Sequence, residues 1–290
     1  MNEPEIRYLR TDLATELDLS DRSGIHESDE VIDGFHVSGI SILTDSAARR
    51  LGKPKGRYIT IDIGRIWLSD DGRQSLASDL IAKKLASLSE ELVGHRPESL
   101  LIAGLGNRRI TADALGDEVC GLLTVTRHIK PHKELYELLG GREISAVTPG
   151  VLGQTGIESA ELVAAACERV KPELVIAIDS LCARSTDRLA TTVQLGSSGI
   201  SPGSGIGNRR RAIDSESLGV PVIALGIPTV VDSSTLVKDA LEKAGIDEIS
   251  DELRNVLENG RGFFVTPKET DTIIRELSRL VADSLMSAFS

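Results

Sequence analysis

Aromatic residues are scarce in this chain: one Trp, three Tyr and four Phe among 290 residues, although 40% of the chain is hydrophobic. Its core must be built from Ala, Val, Ile and Leu, the mixture found where β-branched strands meet Ala- and Leu-rich helices. Cysteine is equally sparse. Cys120, Cys167 and Cys182 are odd in number, lack metal-ligand spacing and lie in apolar runs, which excludes a disulfide framework and fits small core residues in a reducing compartment. Cys182, close to Asp179, also admits a reading as a nucleophilic thiol, although no histidine stands near it in sequence. Basic charge is short as well, with 33 Lys and Arg against 44 Asp and Glu and a net charge of −11, which argues against a nucleic-acid partner. The densest basic run, Arg209-Arg210-Arg211, reads as a solvated loop or as a substrate or subunit contact. No apolar run approaches the roughly 18 residues of a membrane span. Nor does a positive stretch followed by a hydrophobic one open the chain, so the expectation is a soluble, cytoplasmic protein without a membrane partner.

What is present is alternation of strand and helix signals. Residues 1–34 are charged and poor in large apolar side chains, which predicts a mobile or peripheral segment. Strand alternation follows over 36–43 and 57–63, with a short helix over 46–51 and a turn at Lys53-Pro54-Lys55-Gly56. Leu76, Leu80, Ile81, Leu85, Leu88 and Leu92 recur at helical spacing ahead of an apolar strand over 100–104. A helix opening at Asp113, a strand over 144–147, a helix over 158–170 and a strand over 174–178 continue the pattern. Strands over 191–195 and 220–225 and helices over 233–244 and 271–289 complete it, with neither an internal repeat nor a Pro- or Ser-rich linker. This order predicts a single α/β domain with a mainly parallel sheet flanked by helices. A separate second domain is the weaker reading.

Ligands in such sheets gather where strands hand over to loops. Two apolar strands lead there to an acid: the 100–104 strand runs through Gly106-Asn107 to Asp113, and the 174–178 strand stops at Asp179. Asp113 admits a second reading as a helix N-cap. Asp179 directly follows five apolar residues, where a carboxylate is costly unless paired, hydrated or used, and Asp232 poses the same question after 227–231. If Asp113 and Asp179 converge, like charges raise one pKa, leaving one carboxyl protonated and one ionised, a pair able to activate water and protonate a leaving group. The same pair with His128 could hold a divalent metal, and His128 also reads as a structural residue. Gly104-Leu105-Gly106-Asn107 lacks the third glycine of a dinucleotide fingerprint and is followed by no Walker lysine, while Gly203-Ser204-Gly205-Ile206-Gly207-Asn208 follows no clear strand.

These blocks together resemble the germination (spore) endopeptidase family, proteases of small acid-soluble spore proteins. The resemblance rests on Leu105-Gly106-Asn107 with Thr111-Ala112-Asp113-Ala114-Leu115-Gly116, then Arg127-His128, then Pro149-Gly150-Val151-Leu152-Gly153-Gln154-Thr155-Gly156-Ile157-Glu158. It continues through Ile178-Asp179-Ser180-Leu181-Cys182-Ala183-Arg184-Ser185, the 199–208 loop ending in Asn208, and Gly226-Ile227-Pro228-Thr229-Val230-Val231-Asp232. It implies a fold similar to the hydrogenase-maturation proteases, an autoprocessing zymogen, a homotetramer, and catalytic aspartates at Asp113 and Asp179, with Asn107, His128, Arg184 and Asn208 in supporting or substrate-binding positions. Arg10-Thr11-Asp12-Leu13-Ala14 resembles the family's self-cleavage site, which implies a cut between Leu13 and Ala14, a propeptide over 1–13 and a protease domain over 14–290. Ala112 stands where the family commonly has proline, and Ser180 and Cys182 replace alanines beside Asp179. The implied reaction is peptide hydrolysis without a cofactor, Asp179 serving as base and Asp113 as proton donor or the reverse. A metal-assisted protease using the carboxylates and His128 is the alternative. A noncatalytic protein holding a peptide or anion in the Gly-Asn loops is the reading from another class.

Overall fold

A computed structural model describes residues 11–201, 211–246, 249–259 and 263–289. Among them, nine strands form one sheet: β1 (Ile25–Ile32), β2 (Phe35–Ile42), β3 (Gly56–Asp62), β4 (Ser99–Gly104), β5 (Glu143–Val147), β6 (Leu174–Ala183), β7 (Thr192–Gly196), β8 (Val222–Asp232) and β9 (Phe264–Val265). Eight lie side by side in the order β1-β2-β3-β7-β8-β6-β4-β5, and β9 pairs with β8. The strands β8, β6, β4 and β5 are mutually parallel, whereas β1, β2, β3 and β7 form an antiparallel wing that joins β8 through β7. The molecule is a single α/β domain whose mixed sheet has a parallel centre.

The described helices are α1 (Asp45–Leu51), α2 (Asp71–Val93), α3 (Leu115–Leu122), α4 (Lys133–Leu138), α5 (Leu152–Thr155), α6 (Ser159–Val170), α7 (Ser215–Leu218), α8 (Ser233–Lys243), α9 (Asp251–Asn259) and α10 (Thr270–Phe289). Side chains alternate across each strand, so successive apolar residues feed two separate cores. On one face Leu100, Ile102, Ile176, Ile178, Ile223 and Leu225 pack under α2, α3 and α10. On the other, Leu101, Ala103, Val175, Ala177 and Val222 pack under Ala160, Val163 and Cys167 of α6. The near-continuous apolar run of a central parallel strand follows from this burial on both sides.

Three expectations need correction. The N-terminal region is not peripheral throughout: Leu13 and Ala14 are fully buried, and 25–32 form the edge strand β1. Its polar composition hid both, because an edge strand with exposed charges and two buried side chains barely move an average. Second, β6 does not stop at Asp179 but runs on to Ala183, Leu181, Cys182 and Ala183 all being buried. Third, Asp113 caps no helix: it closes a 3₁₀ turn, Thr111–Asp113, and α3 begins after Ala114 without a side-chain cap. Asp232, by contrast, is the N-cap of α8, accepting from the N–H groups of Ser234 and Thr235.

Candidate active site

The sheet parts beside Asp179. Pairing of β4 with β6 ends at Gly104 opposite Ile178, while β8 stays paired with β6 to Ala183. From Asp179 onward, therefore, β6 has no strand on the β4 side, and the chain leaving β4 folds back into that gap. Leu105 N–H donates to the Ile178 carbonyl at 2.8 Å, the last ladder contact before the turn. Close approach needs glycine here: a Cβ on Gly104 would lie 2.1 Å from the Gly116 carbonyl oxygen, and one on Gly116 would lie 2.5 Å from Leu105 backbone and 2.7 Å from the Ile178 oxygen. This contact seats α3 on the backbones of β4 and β6 and brings the preceding turn, with Asp113, against Asp179.

Two ties hold that turn. Asn107 N–H donates to both the backbone oxygen and Oδ2 of Asp113, each at 2.9 Å. The Asn107 side-chain oxygen accepts from Arg109 N–H at 3.0 Å and from Gln154 Nε2, so Asn107 organises the loop rather than projecting from it. On the sheet side, buried Thr229 of β8 donates its hydroxyl to the Ala112 carbonyl at 2.6 Å.

Asp179 is 8% exposed and accepts the Ser180 N–H at 2.9 Å. Burial first, then the carboxylates of Asp113 and Asp12, hold its carboxyl well above the usual carboxylate range. The third acid, Asp12, comes from the N-terminal segment, whose composition predicted a mobile or peripheral stretch. Asp12 N–H donates to the Cys182 carbonyl at 2.8 Å and Asp12 Oδ2 accepts from Cys182 N–H at 2.9 Å, so the N-terminal segment lies along the far end of β6. Burial, with Asp12 beside it, pushes the Cys182 thiol up to about 12, which removes it as a thiolate nucleophile near neutral pH.

The segment continues across the sheet as an extended peptide. Leu13 packs among Leu181, Ala183 and Val231, and Ala14 among Ile40, Ile42, Ala47 and Tyr58. The Asp12 carbonyl accepts from Lys53 Nζ at 2.7 Å and Gln194 Nε2 at 3.0 Å, and Ala14 N–H donates to Gln194 Oε1 at 2.6 Å. Glu16 docks its carboxylate on the backbone N–H groups of Arg184 (2.7 Å) and Ser185 (2.9 Å). The Arg184 guanidinium itself turns to Glu242 at 2.8 Å. A cavity of about 320 Å³, lined among others by Asp12, Lys53, Tyr58, Gln194 and Asp214, opens beside the segment.

The residues expected from sequence thus divide. Asp113, Asp179 and Asn107 come together, whereas Leu13 packs on the far ends of β6 and β8, Ala14 lies against Gln194 of β7, and the Arg184 backbone holds Glu16. His128 lies apart: it is exposed in the turn Arg127–Ile129, whose neighbour Thr126 bonds Ile144 at the opposite ends of the parallel strands. Ile144 aligns through Leu100 with Leu174, five residues or roughly 17 Å along β6 from Asp179. Among the described residues no three His, Cys, Asp or Glu side chains converge to hold a metal ion, so the donor set expected for one does not fit. Asn208, the glycine loop before it, Arg209, Arg210 and residues 1–10 lie outside the described residues. No role was expected for Lys53, Glu16 or Gln194, and Asp12 entered only as part of the block resembling a self-cleavage site; Gln194 left a trace as a polar side chain inside the 191–195 strand signal.

The germination protease family profile matches residues 5–255. The chain belongs to that family. It is 39% identical over 287 residues to the germination protease of Clostridium perfringens, covering 90% of this chain and 86% of that one. Identity is again 39% with the germination protease of Caldanaerobacter subterraneus subsp. tengcongensis, over 94% of this chain and 92% of the relative. For that of Priestia megaterium it is 38%, over 81% and 66%. A crystal structure of a [NiFe] hydrogenase maturation protease from Thermococcus kodakarensis aligns over 70% of this chain and 98% of its own at 15% identity, with a TM-score of 0.37, too low to bear on the chemistry. Among the described residues no helix is long and apolar enough to cross a membrane.

Proposed function

We propose that this germination-family protease is made as a precursor that cuts itself between Leu13 and Ala14 and then begins the degradation of small acid-soluble spore proteins, using Asp113 and Asp179. The observation that carries the reading is electrostatic and geometric together: Asp179 is buried, raised in pKa by Asp113 and Asp12, and the segment holding the proposed cut lies along the same strand. A buried carboxyl raised by a like charge keeps its proton where an ordinary one has lost it. Of the two assignments the sequence left open, this favours the second. Asp113 takes a proton from water as the oxygen attacks the Leu13 carbonyl carbon, and Asp179 gives its proton to the departing Ala14 nitrogen as the C–N bond breaks. Water thus supplies both the hydroxyl of the new carboxyl terminus and the proton that resets the pair. Assembly as a homotetramer and residence in the cytoplasm of the developing and germinating spore belong to the same reading.

Its test is substitution. Asp113→Asn and Asp179→Asn, each assayed for self-cleavage and for cleavage of a small acid-soluble spore protein, are expected to lose at least about 1,000-fold in rate while keeping their fold by circular dichroism. Full activity in either folded variant ends the proposal.

A further inference from the structure

Gln194 occupies a singular place on the sheet. In register it lies opposite Gly226 of β8, which on its other side lies opposite Asp179 of β6. Gln194 and Asp179 therefore stand in one row on one face, about 10 Å apart by two strand spacings, with Gly226 between them and the Leu181 side chain, on which Leu13 packs, lying over that glycine. Gln194 is 8% exposed, and an amide so buried is costly unless both its donor and acceptor are satisfied. Both are satisfied by the N-terminal segment: Nε2 by the Asp12 carbonyl and Oε1 by the Ala14 N–H.

We infer that Gln194 is a substrate-positioning residue, its amide gripping the main chain on either side of the residue whose carbonyl is attacked. This rests on the cleavage reading above. A primary amide offers a donor and an acceptor side by side, as one rung of a β-ladder does, so it reads main chain and not sequence. By holding the N–H of the bond to be cut, it fixes the plane of that amide relative to Asp179 and keeps the nitrogen's other face free to receive a proton. When residues 1–13 depart, the amide loses the Asp12 carbonyl, and an incoming extended peptide restores the partner. A carboxylate in this place could not donate to the carbonyl and would add charge beside Asp12.

The test follows self-cleavage of the full chain as a first-order process across pH in Gln194→Ala, Gln194→Met and Gln194→Glu. Ala and Met are expected to cut about 10- to 100-fold more slowly even where both chains are fully folded, at temperatures below a melting point lowered by the unpaired Ala14 N–H. Glu is expected to work only where its carboxyl is protonated and able to donate, so its rate falls as pH rises along a limb the parent lacks. If the Ala and Met chains do not fold, the Glu profile decides. Parental rates in Ala and Met, or a parental pH profile in Glu, overturn the inference. Loss of cleavage in Asp179→Asn alongside such results leaves the aspartate reading standing, whereas cleavage by Asp179→Asn defeats that reading independently.

Discussion

Asp179 is a carboxyl that the fold keeps against its ordinary preference for charge. Because burial, Asp113 and Asp12 raise its pKa in the folded chain, the native state binds a proton more tightly than the unfolded state does. Its contribution to stability is complete below about pH 4, the ordinary carboxylate range, and declines as pH rises from there through its raised native value. Asp179→Asn removes that decline. The variant is expected to be more stable than the parent at pH 7, by about 1–3 kcal/mol, with the difference closing toward pH 4. Denaturant titration at the two pH values measures this. A variant less stable than the parent at pH 7 would mean that the carboxyl is ionised and well paired there. A stabilising substitution that abolishes catalysis is the trade-off expected where function holds a group in an unfavourable setting.

At the scale of elements, the site depends on how closely α3 lies on the ends of β4 and β6. Gly116→Ala places a methyl group within 2.5 Å of Leu105 backbone, which cannot yield as a flexible side chain would. It is expected to cost about 1–3 kcal/mol by thermal unfolding, and to slow self-cleavage further by displacing the Asp113 turn, an effect beyond instability alone. An unchanged melting temperature and rate would show that α3 need not sit so close. Elements also mark what the sequence could tell. Helix periodicity placed α2, α6, α8 and α10 to within a residue or two, since their apolar faces are long and regular. The far ends of β6 and β8 were not legible: polar Asp179 read as the end of one, and the other, read over 220–225, runs on through Gly226 and Pro228, residues poor in strand propensity. Both extensions are buried by the N-terminal segment, a contact between residues some 170 positions apart that no local pattern encodes. Asp179 was visible as a costly residue after an apolar run and Asp113 as an acid beyond the turn that leaves a strand, but Glu16 looked like any other charge on a polar stretch.

At the scale of the whole molecule, three pieces of chain set the electrostatics of the site: the N-terminal segment with Asp12 and the turn before α3 with Asp113 both raise the pKa of Asp179 in the middle of β6. A parallel centre supplies the strand ends, the gap and the seat of Leu13 on β6 and β8, and the antiparallel wing supplies Gln194, Tyr58 and the seat of Ala14. The central claim, that Asp113 and Asp179 share one pocket closely enough to set each other's protonation, is tested most directly by carbon-13 NMR titration of the Asp179 carboxyl in the parent chain and in Asp113→Asn. The account predicts that Asp179 titrates above the ordinary carboxylate range in the parent and at lower pH once the charge at 113 is gone; the same midpoint in both chains would contradict it.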